Sequence, residues 1–423
     1  MQMIGNLLSG YLMDRFGRKM TLIGSSAVVT LASAILSFAP NYETLLCGLF
    51  LNGSAVGVIR PAIGLYLSEI SLVRWRGSLG SFNALTPNAG YLYGIMVGSL
   101  LPVRIFPWVM VGPSIVFLLF SWVLVDTPLW YMKVGRTVDA RRSMEWLRGP
   151  DYKLEPEWKE LEDLLSSDGT KVDYISLLTK KSFVLPVLIL SGLFWIHVSV
   201  GADTLSYYAL TLFTFPGVAL PPSIIAVLFQ VSRVLSISVL YFLSLNQMSF
   251  TVGMLATALL PSVNRRTQFI LGAFSVAFHM LLLGFDNYLQ ISSSIAVLNY
   301  LPVILLISFG LNFGVGIGTI PYTLTGEIFP QHLRTYGCAV TTASRYVMQF
   351  IQLKLIFLTV SSFGMYGTYF FQSGVAILGA AFAFCLLPET RNKTFSELEN
   401  MFERRIETDL EKNNLNCFFL FQK

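Results

Sequence analysis

Charge is what this sequence has least of. Only 13% of its 423 residues are Asp, Glu, Lys or Arg, against 54% hydrophobic. Soluble domains carry about 25% charge, and a soluble chain of this length would have two or three domain surfaces to cover. A cytoplasmic enzyme, a nucleic-acid binder and a disordered scaffold are therefore poor readings. Histidine is scarce, with three in the chain, and the four cysteines (Cys47, Cys338, Cys385 and Cys417) show no paired spacing. No disulfide framework is inferred. No metal cluster, phosphate loop or nucleophile–base set is found, so no catalytic residue, metal or cofactor is predicted. The net charge of +5 is mild; it matters only through where the positive residues lie.

Long apolar runs are what the sequence has instead. A membrane-spanning helix needs roughly 20 mostly apolar residues. Stretches free of Asp, Glu, Lys and Arg are Met20–Tyr42, Gly77–Val103, Ile105–Val125, Ser182–Ala202, Thr204–Ser232, Val234–Asn264, Thr267–Phe285, Asn287–Gly326 and Leu355–Pro388. Thr44–Ser68 is broken only by Arg60, and Thr335–Leu353 only by Arg345. The runs are continuous, unlike the alternating ten-residue segments of a β-barrel. The expected class is an all-α, multi-span membrane protein embedded in a lipid bilayer.

The remaining charge clusters at alternate loops. Asp14, Arg15, Arg18 and Lys19 form one cluster, and Glu69, Arg74 and Arg76 another; residues 126–181 carry the largest share. Arg265 and Arg266, Glu327 and Arg334, and the tail from Glu389 follow, while the intervening loops are poor in Lys and Arg. This positive-inside pattern puts the segment 127–181 and the C-terminus in the cytoplasm. Within the linker, Glu155–Leu165 reads as an amphipathic helix.

The sequence also repeats across that linker. Glu69-Ile70, five residues and Arg76 correspond to Glu327-Ile328, five residues and Arg334, at an offset of 258. Arg18-Lys19, before an apolar run and Gly24, corresponds to Arg265-Arg266, before an apolar run and Gly272, the basic pairs lying at an offset of 247. Two matches in the same order suggest duplicated bundles, which is a secondary-transporter architecture. Carboxylates and guanidiniums at these helix ends suit a breakable gate between helices, or serve only as topology signals and helix caps.

These residues resemble a known family. Gly10-Tyr11-Leu12-Met13-Asp14-Arg15-Phe16-Gly17-Arg18-Lys19 is similar to the signature loop of the major facilitator superfamily. Tyr66-Leu67-Ser68-Glu69-Ile70 with Arg76-Gly77, Gly318-Thr319-Ile320-Pro321-Tyr322 through Gly326-Glu327-Ile328-Phe329-Pro330, and Pro388-Glu389-Thr390-Arg391 resemble the sugar porters, and within them the arthropod trehalose and glucose transporter group. The resemblance implies two six-helix bundles moving a hexose or disaccharide by alternating access, by facilitated diffusion or with protons. Matched to the family, the chain supplies about ten complete spans plus half of one. The expected parts are an N-terminal bundle at 1–126, a cytoplasmic linker at 127–181, a C-terminal bundle at 182–388 and a tail at 389–423. The first helix and half of the second would lie upstream of this sequence, and the plasma membrane is the expected location. Residues 234–253 read as an insertion or as part of a long, kinked or re-entrant helix.

The expected cytoplasmic gate comprises Asp14, Arg15, Arg18, Glu69, Arg76, Arg266, Glu327 and Arg334. The expected substrate site comprises His197, Asp203, Tyr207, Tyr208, Tyr322 and Arg345. Several of these depart from the family pattern. The seventh-helix amide pair is His197 and Val198, its Asn is Asp203, the tenth-helix Trp is Tyr322 and the eleventh-helix Asn is Arg345. Amides donate to and accept from sugar hydroxyls, so these changes bear on substrate more than on fold. Charges at membrane depth are costly and face a cavity or a partner. Asp203 and Arg345 are thus expected either to pair with each other or to bind a strongly polar or ionic substrate, the second reading favouring a transporter of small organic ions. His197 is a proton-relay candidate or a helix-packing hydrogen bonder, and Tyr207, Tyr208 and Tyr322 either stack on a sugar ring or pack helices. A non-transporting sensor or an inactive product is the remaining alternative.

Overall fold

The structure is a computed structural model. It describes the chain except for residues 72–75, 103–104, 150–151, 153, 168–180, 214–219, 246–263, 293–299, 330–333 and 390–423.

The first half contains α1 (Gln2–Phe16), α2 (Arg18–Ser37), α3 (Tyr42–Ile70), α4 (Arg76–Leu100), α5 (Phe106–Met110) and α6 (Gly112–Phe120). The linker contributes α7 (Pro128–Lys133), α8 (Thr137–Arg148) and α9 (Glu155–Ser167). The second half contains α10 (Lys181–Ser199), α11 (Ala202–Tyr207), α12 (Ala209–Leu212), α13 (Pro222–Leu245), α14 (Arg265–Ser292), α15 (Leu301–Val315), α16 (Ile320–Glu327) and α17 (Arg334–Leu386). α17 turns on Gly364 and so supplies two arms. Among the described residues, five helical stretches are long and apolar enough to cross a membrane, and three shorter apolar helices accompany them. Pro61 and Pro87 lie inside α3 and α4, as neighbouring helices in a membrane permit.

The repeat in the sequence is visible in the packing. By the matched pairs, α2 corresponds to α14, α3 to α15–α16 and α4 to the first arm of α17. Their predecessors α1 and α13 then correspond as well. The halves meet where α1 packs on α17 and where α4 packs on α13, two contacts that exchange under the repeat. Asn6 on α1 donates to the Ala339 carbonyl at 2.6 Å, and Gln230 on α13 donates to the Asn88 carbonyl at 3.3 Å.

The larger apolar core lies in the second half, around Phe194, Phe229, Phe269, Phe309 and Phe329. Residues 234–245 continue α13 as helix, and Ser236 donates to the Leu311 carbonyl of α15 at 2.6 Å. This part of the suspected insertion is therefore built into the bundle. Residues 246–253 lie outside the described residues.

Candidate functional site

At the linker end, the α1–α2 turn is made by Gly17 at φ 84°. A side chain there would be strained and would run into the Asp126 carboxylate. Asp126 Oδ1 accepts the backbone N–H groups of Arg18 (2.9 Å), Lys19 (3.3 Å) and Thr127 (3.1 Å). Negative charge at a helix N-terminus satisfies its orphan donors and its dipole. Burial pushes the Asp126 carboxyl above its ordinary range, while the three N–H bonds and the Arg18 charge act the other way. The second half repeats the device: Glu389 accepts the N–H groups of Arg265 (3.1 Å) and Arg266 (3.2 Å) at the start of α14.

Of the expected gate, Arg18 and Glu69 form a buried pair at 2.7 Å, with Asp14 at 3.9 Å from Arg18. Arg15 stays outside it, donating to Tyr11 on its own helix at 2.5 Å. The Arg266 side chain reaches the Phe384 carbonyl. The side chains of Arg76, Glu327 and Arg334 lie outside the described residues. Arg148 ties the linker to this end, with a bidentate pair to Glu157 (2.5 and 3.0 Å) and a bond to the Ile70 carbonyl at 2.7 Å.

Asp126→Ala should cost about 1–3 kcal/mol by stranding three buried donors. Asp126→Asn keeps an acceptor oxygen and should cost less. Thermal melts of the two variants in detergent would show that order.

Deeper in the second half, two helices break. α10 gives way to α11 at Gly201, whose φ of 91° is left-handed and where a Cβ would strike Gln372. α15 gives way to α16 across Gly316–Thr319. Discontinuous helices expose backbone polar groups at membrane depth and favour binding sites. His197 Nδ1 lies 3.0 Å from the Ile317 carbonyl in the second break. A carbonyl only accepts, so a hydrogen bond there is donated by Nδ1–H. Nε2 faces Asp203 Oδ2 at 3.7 Å, and a carboxylate likewise only accepts.

Asp203, next to the first break, is 4% exposed. Arg345 of α17 meets its Oδ2 at 2.7 Å, and Arg233 of α13 meets its Oδ1 at 3.2 Å. Arg233 also donates to Ser206 at 2.6 Å. The Arg60 and Arg345 guanidiniums each stand 5.8 Å from the centre of the Tyr322 ring, which meets His197 edge to face at 5.6 Å.

The structure thus gathers four of the six expected substrate-site residues, His197, Asp203, Tyr322 and Arg345, into one cluster. Tyr207 stands apart, its hydroxyl 2.8 Å from that of Tyr91 across the two halves. Tyr208 packs on Phe357 at 4.8 Å. Both line a cavity of about 470 Å³ with Gly90, Gly94, Phe106 and Met110. Arg233 was not among the expected site residues, and the signal that would have found it is the rule that an intramembrane arginine requires a partner. Tyr91 carried no such signal.

The family model described as "Sugar (and other) transporter" matches residues 1–402. The facilitated trehalose transporter Tret1 of Bombyx mori is 26% identical over 94% of this chain and 76% of its own length. That of Drosophila yakuba is 24% identical over 96% of this chain, which spans 46% of that relative. Among solved structures, the proton:xylose symporter XylE bound to 6-bromo-6-deoxy-D-glucose has a TM-score of 0.75 at 19% identity, covering 95% of this chain and 86% of that one. XylE from E. coli in its inward-open conformation has a TM-score of 0.70 at 20% identity, covering 95% and 86%. At these identities the likeness establishes the shared major facilitator fold. The protein is an integral membrane protein that belongs to the sugar (and other) transporter family, a family of transporters and not of enzymes.

Proposed function

We propose that this chain moves a sugar across a membrane by alternating access between bundles at 1–126 and 182–388, joined by the linker at 127–181. The observation that carries the reading is the convergence of two broken helices on His197, Asp203, Tyr322 and Arg345, beside the contacts where the two halves meet. A site there opens to one side or the other as the halves rock about their contacts. Trehalose and hexoses are the first substrates to test, because the relatives named above are trehalose transporters. The family membership favours a sugar over a small organic ion that is not a sugar.

In this reading the plasma membrane holds the protein, with the linker and the tail at 389–423 in the cytoplasm. The buried Arg18–Glu69 pair is one half of a cytoplasmic gate, and Asp14, Arg15, Arg76, Arg266, Glu327 and Arg334 complete it. Tyr207 and Tyr208 serve the outer approach to the substrate. For proton coupling the cluster offers His197 Nε2, which faces Asp203.

The test is uptake of labelled trehalose and D-glucose into proteoliposomes, with and without an imposed pH gradient. Saturable uptake is the expected result, and its response to the gradient separates symport from facilitated diffusion. Uptake of neither these sugars nor acidic ones, by a protein that is folded and correctly inserted, would reject the reading.

A further inference from the structure

The central cluster holds more positive charge than it can balance internally. Arg60, Arg233 and Arg345 meet there, and Asp203 is the one carboxylate that pairs with any of them among the described residues. Asp203 divides itself between Arg233 and Arg345. Arg60 makes no ion pair among the described residues. It stands over the face of Tyr322, at 5.8 Å, with Tyr346, Tyr91 and Asp203 within electrostatic reach. A cation over an aromatic ring gains about 0.5–2 kcal/mol, less than the roughly 2.5–3.5 kcal/mol an arginine costs at the centre of a membrane helix.

Depth makes the imbalance matter. Arg60 lies ten residues from the linker end of α3, and Arg345 eleven residues from the linker end of α17. At about 1.5 Å per residue the two are at matching depths, one in each half. Both stand 5.8 Å from the same ring centre, so their guanidiniums can be no farther apart than twice that distance.

Hydrogen bonding shows the same bias. Among the described residues, Arg345 Nε and Gln349 Nε2 are buried donors with no hydrogen-bond partner, and so is the Tyr346 hydroxyl. Arg345 and Gln349 are one turn apart on one helix face. A neutral sugar brings hydroxyls that donate as readily as they accept. An oxyanion only accepts, and two guanidiniums are the side chains best shaped to meet it.

We propose that the substrate site selects a sugar bearing an oxyanion, a carboxylate or a phosphate, held between Arg60 of one half and Arg345 of the other with its ring near Tyr322. The inference rests on the sugar-transport reading and names the class of sugar. An anion shared by the two halves offsets part or all of the surplus charge, a carboxylate less than a phosphate, and gives each half a hold on the substrate.

The experiment is uptake of labelled D-glucuronate, D-glucose 6-phosphate, D-glucose and trehalose by the full chain in proteoliposomes at pH 7. An acidic sugar should be preferred over D-glucose by about tenfold or more, the factor worth 1.4 kcal/mol, and the two acidic sugars tell carboxylate from phosphate. Arg60→Gln should cut the preference for acidic over neutral sugar by a similar factor, and Arg60→Lys should restore part of it. A purely structural role for Arg60 would lower all uptake together and leave the ratio unchanged, which would overturn the proposal. Should Arg60→Gln fail to fold, the selectivity of the unaltered chain decides. Uptake of neutral sugars with no uptake of, or competition from, acidic ones overturns the proposal and leaves sugar transport standing. Uptake of neither class rejects both.

Discussion

Asp203→Asn should unfold or cripple the second half of the protein. The substitution preserves shape and removes the one carboxylate that, among the described residues, pairs with Arg233 and Arg345. Removing one partner of a buried pair costs about 3–5 kcal/mol, because the other charge stays buried and unpaired. Here two guanidiniums are left, and net stabilities of folded proteins are only about 5–15 kcal/mol. The expected result is a large fall in melting temperature in detergent and loss of sugar uptake. The double substitution Asp203→Asn with Arg345→Gln removes charge of both signs. It should melt above the single variant, which a double-mutant cycle would register as coupling. A single variant that melts like the unaltered protein would mean that the cluster carries no structural load.

Gly272→Leu should be nearly as damaging, for a steric reason. A Cβ on Gly272 would sit 2.7 Å from the Gly316 Cα, and one on Gly316 would sit 2.6 Å from the Gly272 Cα. Both neighbours are backbone, so neither can swing away. The clash falls at the break between α15 and α16, beside the Ile317 carbonyl that holds His197. Overpacking a tight contact costs about 1–3 kcal/mol, and here it would also move Tyr322. Gly24 follows the basic pair of the first half as Gly272 follows that of the second, but one position out of register, and nothing lies within 4 Å of its Cβ position. Gly24→Leu should therefore leave melting temperature and uptake unchanged, and the pair of variants in one thermal-shift series makes the comparison.

The contrast between Gly24 and Gly272 shows what a sequence reveals and what it hides. The repeat was legible because charge is rare in this chain and clusters at the span borders, where its spacing stands out. The structure adds that Asp126 and Glu389 hold the same two helix starts through N–H bonds, a likeness that backbone donors do not write into side-chain identity. Helix existence was legible from apolar length, but the breaks at Gly201 and Gly316 were not, since glycine is common in membrane helices. Asp203 and Arg345 stood out as charges inside apolar runs, and the structure joins them at 2.7 Å. Arg233 borders residues 234–253, the stretch read as an insertion, and α13 runs through it as helix to Leu245. Tyr208 and Tyr207 look equivalent in sequence. One packs on Phe357 and the other meets Tyr91 from the opposite half, a difference that the turn between α11 and α12 decides.

Alternating access through the central cluster is the claim on which the account stands. It is tested most directly by Tyr322→Cys in a background where Cys47, Cys338, Cys385 and Cys417 are replaced by Ser. A membrane-impermeant thiol reagent is applied from one face of reconstituted protein and then from the other. The account predicts labelling of position 322 from either face, slowed at both by a transported sugar. Labelling from one face only, or at a rate that no sugar alters, would contradict it.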